Sequence, residues 1–282
     1  MAKGYLIIQA RTAGGAVPIV GAEIRILDPQ GSSVYELTTD ESGETERVSL
    51  ETMDRSLSLD QDYSGTPYTG YDVLVRAAGF NSLYISGVPI YEDETAIQPA
   101  ELLPMQQTQR SPMVNEITIE KPAAASDIRR IQEKPEPELR VLRQVVIPDP
   151  ITVHLGSPSS SAANVQVRFT DYIKNVASSE IYPTWPDASL RANIYAIITF
   201  ALNRVFTEWY RSRGYSFDIT SSTAYDQAYV HGRTIFESIS RIVDEIFNQY
   251  VRRQGQNAPY FTSFCNGTTA TCSGLSQWGT VS

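Results

Sequence analysis

One acid stands where proton transfer would be favoured. In VASSEIYPTWP, residues Val176 to Pro186, Glu180 follows two serines and precedes Ile181, Tyr182, Pro183, Trp185 and Pro186. A surface glutamate needs no such company. A proton-donating one does, because an apolar setting disfavours the charged form. Tyr182 and Trp185 could offer flat faces to sugar rings while drying the surroundings of Glu180, or could be ordinary core packing. Further on, STAYDQAYVHG gathers Tyr225, Asp226, Gln227 and Tyr229, a polar and aromatic cluster suited to sugar hydroxyls and acetamido groups. No second acid lies close to Glu180 in sequence; Asp187 is placed to cap the next helix. His154 sits in an apolar strand pattern, where histidine is more often structural than catalytic. Cys265 and Cys272 could form a disulfide or remain two thiols, and with no histidine nearby they are too few for a zinc site.

These residues need elements to hold them. FTDYIKNVASSE predicts a helix capped by Thr170, with Tyr172, Ile173 and Val176 on one face and Glu180 at its end. After the proline turn, Asp187 caps a long helix over 188–213. Leu190, Ile194, Ile197, Ile198, Ala201, Leu202, Val205 and Trp209 recur at helical spacing until Gly214 stops it. The apolar positions cover much of its girth, so it reads as the central helix of its domain. A third helix is predicted over 233–255, with Ile235, Ile239, Ile242, Ile246 and Tyr250 as its stripe. ITVHLG reads as a strand, and the last residues as strand and loop.

The first hundred residues read differently. GYLIIQA, AEIRILD, SSVYELTT, ERVSL and YDVLVRAAG are short β runs punctuated by glycines and a proline. The fold class is therefore multidomain: an N-terminal all-β sandwich over 1–106, a proline-rich linker over 107–150 with at most a short helix near Asp127–Glu133, and a mainly helical α+β domain over 151–282. The segment from Pro18 to Leu50, with YDVLVRAAGF, resembles transthyretin-like and CnaB-like sandwiches. Lys3 precedes the first predicted strand rather than lying on it, so no isopeptide crosslink is expected.

Composition excludes some functions. The net charge is −9, and residues 151–282 hold 10 Lys+Arg against 9 Asp+Glu, leaving 13 against 23 in the first 150. Neither part carries the basic stripe of a nucleic-acid binder. No run is long enough to span a membrane, and the N-terminus has no signal-peptide pattern.

DYIKNVASSEIYPTWPDASLRANIYAIITFALN resembles the SpoIID/LytB-domain family, and GLSQWG resembles that domain's closing motif. STAYDQAYVHG falls where the family has its middle motif. Within the family, the order of parts is similar to that of the clostridial spore cortex-lytic enzymes, which are made as precursors. The resemblance implies lytic transglycosylation of peptidoglycan, with Glu180 as the catalytic acid and base and no cofactor. It implies substrate binding by Gln227, Ser276 and Gln277 beside Tyr182, Trp185, Tyr225 and Tyr229. It also implies an activating serine protease cutting near Arg140, Arg143, Val146 and Ile147, and a location at the spore cortex, coat or cell wall. Where some members bind zinc, this chain has Ala224, Tyr225 and Asp226, so no metal is expected. The family continues beyond Ser282, so the domain reads as truncated.

Overall fold

Alternating apolar residues build the first strand. In β1 (Ala2–Thr12), Leu6, Ile8 and Ala10 are fully buried while Lys3 is exposed. Lys3 thus lies on the strand, opposite Glu51, rather than before it. The computed structural model describes residues 2–106, 109, 111–125, 142–268 and 274–281. After β1 come β2 (Val17–Pro18), β3 (Glu23–Leu27), β4 (Ser33–Thr38), β5 (Val48–Thr52), the single turn α1 (Ser56–Leu59), β6 (Thr69–Arg76), β7 (Ser82–Ile90), β8 (Thr95–Glu101) and β9 (Val114–Thr118). Then follow a 3-10 turn at Ala123–Ala125, β10 (Ile151–His154), β11 (Asn164–Val167), α2 (Phe169–Glu180), α3 (Asp187–Phe206), β12 (Ile219–Thr220), β13 (Ile235–Phe236), α4 (Glu237–Ile246), β14 (Phe264–Cys265) and β15 (Leu275–Ser276).

The chain divides into two units, Met1–Glu120 with Gly232–Ser238, and Lys121–His231 with Ile239–Ser282. In the first, one sheet runs β13-β8-β1-β2 with β5 also on β1, and the other runs β4-β3-β6-β7-β9. β1 pairs with β8 and β7 with β9 in parallel; the remaining pairings of this unit are antiparallel. Leu6 and Ile8 from one sheet and Ile24, Ile26, Val73, Val75 and Ile85 from the other are buried, as in the two inner faces of a β-sandwich.

Two predicted boundaries move. The expected linker over 107–150 contains β9, because its alternating VNEIT run lies parallel to β7 and extends the sheet. The helix expected near Asp127–Glu133 falls outside the described residues. The third helix is shorter than its periodicity suggested. Ile235 and Phe236 pair with Ile97 and Ala96 instead, and the helix starts only at Glu237.

The second unit centres on α3, which buries residues around its circumference from Leu190 through Ala196, Ile198, Phe200 and Leu202. The helix ends at Phe206, short of Trp209; Gly214, at φ 86°, closes the 3-10 turn that follows. Pro186 is the cap residue and Asp187 the first helical one, its carboxylate held by Arg191 and Arg241. Likewise Arg168, not Thr170, caps α2. Short strands and long loops fill much of the remainder, so this unit is mixed α+β rather than mainly helical. His154 takes the structural role expected of it: its ring bonds Asn164 and Ser160 and stacks on Phe217 at 4.6 Å. Among the described residues no helix is long and apolar enough to cross a membrane.

Just before β8, Glu94 accepts a hydrogen bond from Ser238 Oγ at 2.7 Å. Burial pushes its carboxyl up to about 7, against the lowering effects of Ser238 and Arg55. Such a group keeps its proton in the fold at pH values where the unfolded chain has lost it. Its contribution is therefore fully present below about 4.5 and is lost as pH rises through 7. Urea unfolding followed across pH 4.5–8 should show this loss, and Glu94→Gln should flatten that part of the slope.

Candidate active site

Glu180 closes α2 and has no exposed surface. A buried carboxylate must find donors inside the protein. Two are supplied by other segments. The backbone N–H of Ala228 reaches Oε1 at 2.9 Å, and Gln277 Nε2 reaches Oε2 at 3.2 Å.

The first donor is fixed by contacts along α2. Tyr172 donates its hydroxyl to Gln227 Oε1, while Gln227 Nε2 donates to the Ile197 carbonyl on α3. Asn175 binds both the N–H and the carbonyl of Val230. Tyr172, Asn175 and Glu180 therefore fasten residues 227–230 in place, and Tyr229 stacks on Tyr172 at 5.7 Å. Burial raises the Tyr172 phenol well above its usual range, with smaller contributions from Asp226 and Glu180.

The second donor is fixed by a short parallel pair. β15 lies on β14, and Gln277 N–H donates to the Cys265 carbonyl at 2.9 Å. Gly267, at φ 84°, backs onto this pair; a Cβ there would fall 1.9 Å from Ser276 Oγ, so only glycine fits. Cys265 is disulfide-bonded, which decides the open question of thiols; the chain's other cysteine, Cys272, lies outside the described residues.

The aromatic residues form a buried group. Tyr182, Trp185 and Trp278 stand with ring centres 4.9–6.0 Å apart, and each is less than 8% exposed. Trp278 donates its indole N–H to the Ala124 carbonyl at 3.3 Å, so the 3-10 turn at Ala123–Ala125 lies against this cluster.

Each expected site residue has a definite place. Gln277 bonds Glu180, while Gln227 precedes the Ala228 whose N–H reaches that carboxyl; all three are fully buried, and Tyr182, Trp185 and Tyr229 are nearly so. Tyr225 is partly exposed, and its carbonyl accepts from Arg204. Ser276 is partly exposed, its Oγ accepting from Gly279 N–H. Gln277 Oε1 is buried without a hydrogen-bond partner among the described residues. Arg143 and Val146 are exposed, whereas Arg143 and Ile147 help line a cavity of about 320 Å³ with Leu202, Phe206 and Tyr250. Arg140 lies outside the described residues. No three His, Cys, Asp or Glu side chains are gathered for a metal ion among the described residues.

Asp226, grouped by sequence with the sugar-binding candidates, has its carboxylate taken up by other protein groups. It is fully buried, accepting from Arg204 Nε at 2.8 Å, Tyr210 OH at 2.6 Å, and both the N–H and hydroxyl of Thr220. The sequence did carry a signal: Arg204 interrupts an apolar helix, and a buried arginine requires a counter-charge. Tyr172, Asn175 and Trp278 were likewise missed as parts of the site.

Residues 159–252 match the SpoIID family model, described as Stage II sporulation protein. The matched stretch includes Glu180, Gln227 and both long helices of the second unit. No curated protein matches the chain. Among solved structures, the chain is similar to the Bacillus anthracis TIE protein (22% identity, 37% of this chain and 16% of that one, TM-score 0.26). It is also similar to the minor pilin of Streptococcus agalactiae (14% identity, 39% and 48%, TM-score 0.25). A third is catechol 1,2-dioxygenase from Acinetobacter (13% identity, 40% and 58%, TM-score 0.24). The chain thus spans less than two thirds of each of these proteins, and TM-scores this low define no shared fold.

Removing the Asp226 carboxylate would strand Arg204 as an uncompensated buried charge. Asp226→Ala should destabilise the second unit by about 3–5 kcal/mol in denaturant unfolding. Gln277→Leu should cost about 1–3 kcal/mol by leaving Glu180 Oε2 without this donor.

Proposed function

We propose that the second unit cleaves peptidoglycan glycan strands as a lytic transglycosylase. The match of residues 159–252 to SpoIID supports a sporulation-related cell-wall function. The observation that carries the finer reading is the arrangement around Glu180: one carboxyl, buried, held by two donors from separate segments.

In this reaction Glu180, as the acid, protonates the glycosidic oxygen that leaves C1 of an N-acetylmuramic acid unit. The C1–O bond breaks. The resulting carboxylate then takes the proton of that sugar's 6-hydroxyl as O6 bonds to C1, giving a 1,6-anhydro end. The nucleophile belongs to the substrate, so one carboxyl serves both steps, whereas hydrolysing glycosidases usually pair two. Asp226 is a poor second carboxyl for hydrolysis, because four donors already occupy it. Gln277 Oε1 offers a buried acceptor beside Glu180 for a hydroxyl or acetamido N–H of the glycan. The substrate-binding roles of Tyr182, Trp185, Tyr225, Gln227, Tyr229 and Ser276 belong to the same proposal, as does a spore cortex or cell-wall location.

The complete burial of Glu180 also bears on activation. Glycan can reach the carboxyl only after its surroundings open, which supports a precursor activated by a serine protease near Arg140–Ile147. Trp278, beside Gln277, is bonded to the turn at Ala123–Ala125, on the N-terminal side of that cut. The same burial favours a second reading, a glycan-binding or structural protein without catalysis.

Mass spectrometry of muropeptides separates them. Spore cortex and vegetative peptidoglycan would be incubated with the full chain, intact and cut within 126–147, and with its Glu180→Gln form. Anhydromuramic ends that rise on cutting and vanish with Glu180→Gln are expected. Reducing ends would indicate hydrolysis instead, and no product under any condition would leave the binding reading.

A further inference from the structure

The first unit contains a strand from far along the chain. β13 forms the outer strand of its β13-β8-β1-β2 sheet, covering the edge of β8. The attachment extends beyond two paired residues. Phe236 is fully buried and meets Tyr91 edge-on at 5.4 Å. Gln98, also fully buried, donates to the Gly232 carbonyl at 2.8 Å and accepts from Thr234 Oγ1 at 2.6 Å. Arg233, 1% exposed, donates to the Glu120 carbonyl at 2.8 Å, and Ser238 donates to Glu94. Without residues 232–238, β8 would be an open edge, and the buried Gln98 would keep its bond to the Pro99 carbonyl but lose those to Gly232 and Thr234, a combination that soluble sheets avoid.

A complementary placement occurs in the second unit. Its first residues, Lys121–Ala125, precede the segment 126–141, yet Ala123 and Ala124 are buried there and the Ala124 carbonyl holds Trp278. Any cut between 126 and 147 therefore yields products that each retain a piece of the other's unit. The N-terminal product keeps 121–125, and the C-terminal product keeps 232–238. Each set of contacts is internal to one unit.

We propose that the edge of β8 is a strand-accepting surface whose occupant is this chain's own Gly232–Ser238, so that cutting the linker leaves a two-chain protein and does not release the N-terminal unit. The partner is defined by chemistry: a carbonyl for Gln98 Nε2, a hydroxyl for Gln98 Oε1, and an aromatic side chain against Tyr91. Donated strands are an established mode of recognition, in which backbone bonds give affinity and alternate side chains give specificity. An N-terminal unit held in this way stays attached to the C-terminal product through residues 232–238. The inference is independent of the glycan-cleaving reading.

The test uses the full chain with a site-specific protease sequence placed within 126–141. After complete cutting, the two products should co-elute in native size-exclusion chromatography and separate in denaturant. Elution as two separate species would overturn the proposal. Phe236→Asp in the cut protein should speed dissociation at least tenfold by dilution. An unchanged rate would show that β13 is not the hold. If that variant does not fold, Thr234→Val, which loses only its bond to Gln98, should still speed dissociation several-fold, and no change there would count equally against the proposal.

Discussion

A carboxylate without contact with water sets the terms for the second unit. Glu180 ends α2 in a fully buried position, and the solvation it gives up must be replaced by the chain. This requirement draws together three segments that are distant in sequence. Ala228 supplies a backbone N–H, which stays aimed only because Gln227 is tied to both α2 and α3. Gln277 supplies a side-chain amide, held by the β14–β15 pair and the close packing of Gly267 on Ser276. The second buried acid, Asp226, does a different job with the same physics. It binds Arg204, Tyr210 and Thr220, anchoring a loop that has little regular structure of its own. The two buried carboxylates thus differ: Asp226 takes bonds from Arg204, Tyr210 and Thr220, while the amide partner of Glu180, Gln277, keeps a buried acceptor with no hydrogen-bond partner among the described residues.

The legible parts of the fold are those where local pattern and tertiary environment agree. β1, β3 and β6 alternate as half-buried strands should, and α2 occupies the twelve residues that its apolar spacing suggested. β13 was hidden because Ile235 fits the same stripe as Ile239, Ile242 and Ile246. The residues suit a helix, but the open edge of β8 decides the matter, and nothing local to residues 235–236 reveals that edge. β9 was hidden by the prolines and charges on either side of it.

The site was legible to a different degree. Glu180 stood out by its company, and Gln227 and Gln277 through their motifs. The donor to Glu180 Oε1, the N–H of Ala228, is backbone, and a residue name carries no information about where its amide points. The aromatic residues were visible as candidates for stacking on sugars. Their ring contacts with one another are three-dimensional facts, as is the capture of Trp278 by Ala124.

The order of strands in the first sheet also has a consequence during synthesis. β8 leaves the ribosome roughly 130 residues before β13, an interval of about ten seconds at ordinary rates of translation. Throughout that time the nascent sheet has an exposed edge of the kind that captures strands from other chains. Its own strand arrives only after α2 and α3 have emerged, so the N-terminal unit, though made first, is finished late.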